Sequence, residues 1–168
     1  MSERALLQHT IEPVFDERSR VLILGTFPSP KSREVGFFYG HSQNRMWRVL
    51  AAVMGEEHVP QTTEERTAFL LHNRIAMWDT VACCTIEGAA DSSIRDVVPN
   101  DLSCILNAAP VGAVFTTGAK AHELYVRYQL PQTGIADVRL PSTSAANASW
   151  SFDRLLEAYR VVAEAVRR

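Results

Sequence analysis

Residues 27–48 gather Phe27, Phe37, Phe38, Tyr39 and Trp47 among Lys31, Arg33, His41, Asn44, Arg45 and Arg48, with Glu34 the one acid between them. Aromatic rings interleaved with cations can stack nucleobases and contact phosphates. Phe37, Phe38 and Trp47 fit equally well as ordinary core beneath a long loop, and the pattern alone leaves both readings open. Length tips the balance, because a connection of about 16 residues inside a compact domain is usually functional.

Two turns frame this segment and a second one. Gly25-Thr26-Phe27-Pro28-Ser29 ends an apolar run, and Leu140-Pro141-Ser142-Thr143-Ser144-Ala145-Ala146-Asn147 ends another. Each follows a short stretch with strand character and precedes a helical pattern, so both read as strand-to-helix loops that face each other across one cleft. Asn44 carries an amide that can bind a water or a base edge but cannot act as a general base. The same residue suits the N-cap of the following helix. His41 is open between a phosphate contact, a proton donor and a structural histidine. Ser142 and Ser144 can offer hydroxyl and backbone N–H groups to phosphate, or form a capping turn. Lys120, beside Gly118 at a strand end, can meet a phosphate. Asp79 and Asp91 read more readily as loop braces or caps than as chemistry.

The elements that must position these residues alternate between strand and helix. Strands are expected at 21–24, 75–78, 111–116 and 137–140. Helices are expected at 44–54, 62–73, from Asn100 or Asp101 to 109, at 119–129 and at 151–167, while 27–43 and 87–93 read as loops. Thr62 with Glu65 makes a capping-box pattern, and Gly55 and Pro110 supply stops. Alternation of this kind implies right-handed crossovers, a parallel sheet with helices on both sides, and ligands beyond the carboxyl ends of the strands.

At 168 residues, 46% hydrophobic and 21% charged, the chain fits one globular domain over its full length. A net charge of −2 gives no global field toward a polyanion, so any contact with one must be local. No run approaches the roughly 20 apolar residues of a membrane span, and Met1-Ser2-Glu3-Arg4 does not open a signal peptide, which points to the cytoplasm. Cys83, Cys84 and Cys104 fit no disulfide or metal spacing and are expected as reduced, mostly buried thiols. No metal or cofactor is expected, and a monomer is. There is no GxSxG elbow and no HExxH.

The first turn, Tyr39-Gly40-His41-Ser42-Gln43-Asn44-Arg45-Met46-Trp47, Trp78-Asp79, Asp91-Ser92-Ser93-Ile94 and the last turn occur in an order that resembles the hypoxanthine-DNA glycosylase branch of the uracil-DNA glycosylase superfamily. The resemblance runs from about Pro13 to the C-terminus. It implies a three-layer α/β/α sandwich around a four-stranded parallel sheet of order 2-1-3-4, in agreement with the pattern. It also implies excision of a deaminated base, chiefly hypoxanthine, from DNA, leaving an abasic site. In that family the asparagine of the His-x-x-Asn block is the important one, and His41-Ser42-Gln43-Asn44 carries it over, with Ser42 where the family commonly has proline.

Cleaving an N-glycosidic bond passes through an oxocarbenium-like sugar, so a site must tolerate positive charge there, help the base depart and hold a water opposite. The base must first be flipped into a pocket with an aromatic wall. Phe27 is the expected wall, with packing alone as the competing reading. Asn44 and His41 are the expected catalytic residues. Gly25, Thr26, Phe27, Pro28, Ser29, Tyr39 and Asp79 are the expected base pocket. Lys31, Arg45, Lys120, Pro141, Ser142, Thr143, Ser144, Ala145 and Asn147 are the expected DNA contacts.

The chain departs from the uracil-specific branch in lacking a carboxylate in Thr26-Phe27-Pro28 and in having Leu140 where that branch has histidine. Both departures favour a purine that leaves after ring protonation. The last loop offers only Ser144, Ala145 and Ala146 as a wedge, which suits sites where pairing is already weak. The alternatives are a uracil- or mismatch-specific glycosylase, and a nucleic-acid-binding module without catalysis.

Overall fold

A computed structural model describes residues 5–168; residues 1–4, which bear on the signal-peptide reading, lie outside the described residues. The chain begins β1 (Ala5–Gln8), β2 (Val21–Gly25), α1 (Pro30–Val35), α2 (Met46–Val53), α3 (Thr63–His72), β3 (Ile75–Asp79), β4 (Val81–Ile86) and β5 (Arg95–Pro99). It continues α4 (Ser103–Leu106), β6 (Ala113–Thr117), α5 (Ala119–Leu124), a π-helical turn (Tyr125–Gln129), α6 (Leu130–Thr133), β7 (Asp137–Leu140) and α7 (Phe152–Val166).

Four strands pair in parallel in the order β3-β2-β6-β7, the expected 2-1-3-4 arrangement. In β2 every residue is buried, and alternate side chains serve opposite faces. Val21 and Ile23 join Leu50, Leu155 and Tyr159 in the layer under α2 and α7. Leu22 and Leu24 join Ile105 and Tyr125 in the layer under α4 and the π-helical turn. Each of these aliphatic side chains contributes about 1.5–3 kcal/mol by leaving water, so the central strand holds both layers in register.

Helix starts follow local chemistry. Thr62 Oγ1 accepts from Glu65 N–H at 3.1 Å while Glu65 Oε2 reaches back to Gln61 N–H at 2.8 Å. Ser151 Oγ accepts from Arg154 N–H at 3.2 Å to start α7. The 27–43 loop contains α1, a departure from the expectation. Ser29 caps it through Ser32 N–H at 3.1 Å, Pro30 occupies its first turn, and Gly36 ends it at φ 81°. The helix expected to run to 109 stops at Leu106. Its N-cap is Leu102 rather than the expected Asn100 or Asp101; Asp101 Oδ1 accepts from Ser103 N–H at 2.9 Å in the turn just before it.

A second sheet of three antiparallel strands, β1-β4-β5, was not anticipated. Between β3 and β4 stands only Thr80, with no glycine or proline to mark the change of sheet. The chain is steered there by outside bonds: Thr80 N–H donates to Gly25 O at 2.8 Å and Val81 N–H to Thr26 O at 3.1 Å. Gln129 Nε2, buried in the π-helical turn, donates to Thr80 O and to Asn100 O, both at 3.0 Å. Cys84 is buried and Cys83 half-buried, but Cys104 is exposed on α4, against the expectation of mostly buried thiols. Burial pushes the Cys84 thiol up to about 11, so it stays protonated and inert.

Gln129→Leu removes the donor to Asn100 O, while Thr80 O keeps the Asn100 N–H. Urea unfolding should show a loss of about 1 kcal/mol, the low end of the cost of one buried carbonyl left without a partner, because the substitution also removes Gln129 Oε1, itself buried without one.

Candidate active site

The carboxyl ends of β2, β3 and β6 open into a cavity of about 490 Å³, within the range of small-ligand sites. Gly25, Thr26, Phe27, Pro28, Ser29, Tyr39, His41, Asn44 and Asp79 all line it, together with Lys31, Ser142 and Ser144. The first and last turns therefore do converge on one space.

Gly25 stands where the chain must be thinnest. A Cβ there would lie 2.5 Å from Asp79 Oδ1 and 3.1 Å from Tyr39 Oη. Asp79 is buried, and its Oδ2 meets His9 Nε2 at 2.8 Å. His9 is enclosed by the rings of Phe27, Phe38 and Trp78 at 6.0–6.3 Å. Asp79 is thus a pinned carboxylate at the cavity wall, with Oδ1 free of protein partners among the described residues. His9 was missed in the sequence because it lies 70 residues from its partner on a four-residue strand end with no motif around it.

Tyr39 adopts φ 50°, a conformation that costs a bulky residue on the order of 1–3 kcal/mol. Its surroundings hold it there: Trp47 Nε1 donates to Tyr39 O at 3.3 Å, and Gly40 N–H donates to Ser32 Oγ at 3.0 Å. The hydroxyl shares a hydrogen bond with Thr117 Oγ1 at 3.0 Å. Burial first, and Asp79 second, push its pKa far above the ordinary tyrosine value, so it is a neutral hydrogen-bonding group.

Asn44 lines the cavity and stands one residue before the N-cap of α2, which is Arg45 and not the expected Asn44. Its Oδ1 accepts from Met46 N–H at 2.9 Å and from Thr143 Oγ1 at 2.8 Å. With the oxygen occupied, the amide can offer the cavity only its Nδ2 donors. His41 is exposed at the rim, and its Nδ1 accepts from Gln43 N–H at 3.0 Å, which leaves Nε2 as the ring nitrogen available to a ligand.

Several residues expected to touch DNA turn inward. Arg45, expected at a phosphate, clamps the last loop instead: its guanidinium donates to Ser144 O at 3.0 Å, Asn147 O at 3.2 Å and Trp150 O, and its backbone N–H to Thr143 O at 3.1 Å. Five donors in a rigid fork suit a cluster of carbonyls, and the loop's backbone supplies them. Thr143 is buried against Asn44, not at the surface. Asn147 Nδ2 donates to Ser142 O at 3.0 Å, and Pro141 O accepts from Tyr159 Oη at 2.6 Å. Lys120 lies outside the cavity lining, 3.6 Å from Glu123. What the loop shows to solvent is its tip, Ala145 and Ala146. Phe27 lines the cavity and also packs with Val81, Cys84, Ile86 and Leu124, so wall and core are one side chain.

Residues 12–163 match the family described as the uracil DNA glycosylase superfamily. A hypoxanthine DNA glycosylase of Methanosarcina acetivorans is 33% identical over 152 residues, covering 89% of this chain and 94% of the relative. One from Methanosarcina barkeri is 34% identical over 112 residues, covering 66% and 71%. A solution NMR structure from Methanosarcina acetivorans, described as a candidate uracil DNA glycosylase, superposes with a TM-score of 0.82 at 32% identity, covering 98% of this chain and all of that one. The chain belongs to the uracil DNA glycosylase superfamily, and it is a DNA glycosylase.

Gly25→Ala forces Asp79 off its bond to His9 or shifts the turn. Such a displacement of about 1 Å should lower single-turnover base excision by about 10²-fold, with the far-ultraviolet circular dichroism unchanged.

Proposed function

We propose that this glycosylase excises hypoxanthine from deoxyinosine in DNA, acting as a monomeric single-domain enzyme of base excision repair in the cytoplasm. The observation that carries the reading is the Asn44 amide, its oxygen held by Met46 N–H and Thr143 and its nitrogen left without a protein partner among the described residues, on the lining of a cavity that Phe27 walls and that is large enough for a purine nucleoside. The two Methanosarcina relatives that bear the name hypoxanthine DNA glycosylase support the same substrate.

The chemistry follows from what the cavity holds. A flipped purine stacks on Phe27 and presents its six-membered edge to Asp79. Deamination turns N1 of adenine from an acceptor into an N–H donor, so the free Oδ1 of a pinned carboxylate pairs with hypoxanthine and repels adenine. Asn44 Nδ2 holds the attacking water by its oxygen on the sugar side. It takes no proton, which suits a reaction whose sugar becomes cationic before the water has bonded. The Asp79 carboxylate stabilises that developing charge through a poorly hydrated medium. Ser142, Ser144 and Ala145 of the last loop, with Lys31 and Lys120 flanking, are the contacts of this reading to the DNA backbone and the vacated stack.

A labelled duplex with one deoxyinosine, incubated with the protein and then treated with alkali, should break at that residue. Asn44→Ala should slow the cleavage by about 10²–10³-fold, the usual cost of one oriented donor at a reacting centre. Cleavage of deoxyuridine duplexes but not deoxyinosine would replace hypoxanthine with uracil as the substrate; cleavage of neither would leave a binding module. Because Phe27 is also core, Phe27→Ala should cost about 3–5 kcal/mol in unfolding free energy, so its loss of activity must be read at a temperature where the variant remains folded.

A further inference from the structure

Asp91 has no part in the roles assigned so far, yet its side chain lines the cavity, across the first turn from Asp79. It opens a short 3₁₀ turn, Asp91–Ser93, whose following residue Ile94 is buried in the cluster with Phe27 and Val81. Ile94 N–H donates to Asp91 O at 3.2 Å and Ser93 N–H to Ala90 O at 2.9 Å, so the carboxyl is carried on a fixed turn whose first residue is exposed overall. The Thr26 hydroxyl stands near enough to that carboxyl to favour its charged form. Asp91 also lines a second, more open groove of about 940 Å³ that runs beside Arg139, Ser142 and Trp150. One face of the group looks at the base cavity, the other at solvent.

We propose that Asp91 is the acid of this site, donating its carboxyl proton to N7 of the purine as the bond from N9 to C1′ breaks. This rests on the hypoxanthine reading above. The bonding pair stays on N9 and the proton arrives on N7, so the base departs as neutral hypoxanthine. Water adds its oxygen to C1′ and releases a proton to solvent, and Asp91 regains one from the open groove.

The cavity holds no comparable donor. His41 stands exposed at the rim with its Nδ1 engaged by Gln43 N–H. Tyr39 holds its proton too tightly. Asp79 is tied to His9. Lys31 sits 3.4 Å from Glu34 on the exposed face of α1. The groups that bear on Asp91 are Asp79 from β3, Tyr39, the Thr26 hydroxyl, Cys84 from β4 and Lys120 from α5. The protein crowded around the carboxyl, first, and the charge of Asp79, second, raise its pKa, while Thr26 and Lys120 hold it down. A base seated in the cavity strips further water from the same group and works in the raising direction. Two carboxyl groups in one site, one pinned by His9 and one pushed toward its acid, divide the labour of charge stabilisation and proton donation.

The test is single-turnover excision by the wild-type protein and Asp91→Asn on two duplexes. One contains deoxyinosine and the other N7-methylated deoxyinosine, whose ring already carries the positive charge. On deoxyinosine the variant should lose at least about 100-fold, the low end for a general acid. It should also lose the wild-type decline in rate with rising pH. On the methylated base, above its spontaneous loss, the variant should work at nearly the wild-type rate, and Asp91→Glu should restore part of the deoxyinosine activity. Equal losses on both duplexes would make Asp91 a positioning residue and overturn the proposal, as would no loss on either. Failure of the wild-type protein itself on deoxyinosine would instead overturn the substrate reading, and this inference with it.

Discussion

The side-chain oxygen of Asn44 is taken twice, by Met46 N–H and by the Thr143 hydroxyl, and the second of these bonds joins residues 99 positions apart. It fastens the start of α2 to the loop after β7, so the amide's orientation and that loop's position are one fact. Arg45, the next residue, repeats the connection through its backbone and guanidinium. A buried side-chain hydrogen bond contributes only about 0.5–1.5 kcal/mol in net terms, so the stability of the junction rests on its number of bonds. Its functional weight is larger than its energy, because it decides which end of the amide faces the cavity.

Charge in the cavity is arranged by a comparable division. Asp79 is buried beside His9, whose ring is fenced by three aromatic side chains, and cannot swing away from its post. The carboxyl of Asp91 stands at the rim, in contact with solvent. Glycine at position 25 is what allows the first turn to pass between Asp79 and Tyr39. Backbone, pinned anion and neutral hydroxyl therefore meet within a few ångströms, with no side chain from the turn itself between them. Such a surface is stiff before any ligand arrives, which is what oriented electrostatic stabilisation requires.

β2 was legible because it is a run of aliphatic residues bounded by a turn signal and buried on both sides, and β3 and β6 are mostly apolar, whereas β7, Asp137-Val138-Arg139-Leu140 with only Leu140 buried, was marked by its place before the last turn. β4 was not, because β3 passes into it across Thr80 alone, and β1 and β5 are short edge strands with little apolar patterning. α1 was written in Ser29, Pro30 and Gly36, but six residues fall below the length at which periodicity shows. At the site, the turns and Asn44 were legible from residue type and order. Arg45 and Thr143 were not: a cation and a hydroxyl in a polar loop look solvent-facing until the carbonyls and the amide they satisfy are brought to them from the far end of the chain. His9 carries the same lesson, since a buried pair leaves no local trace when its members come from different sheets.

The braces on the last loop bear on how a nucleotide could be extruded. A loop with four carbonyls engaged by one guanidinium, and two more by Tyr159 and Asn147, cannot rearrange much, so on the proposed reading it enters the duplex as a preformed shape. Its exposed tip is small, Ala145 and Ala146, and would fill a vacated stack poorly. On the proposed reading, the energy to open a pair then comes from two places: the weakness of the pair itself, and the stacking and hydrogen bonds gained inside the cavity. Selectivity for a mispaired deaminated purine follows from that balance. A well-paired base gains the same stacking on Phe27 but begins deeper in the helix, and without a donor for Asp79 Oδ1 it has less to gain on arrival.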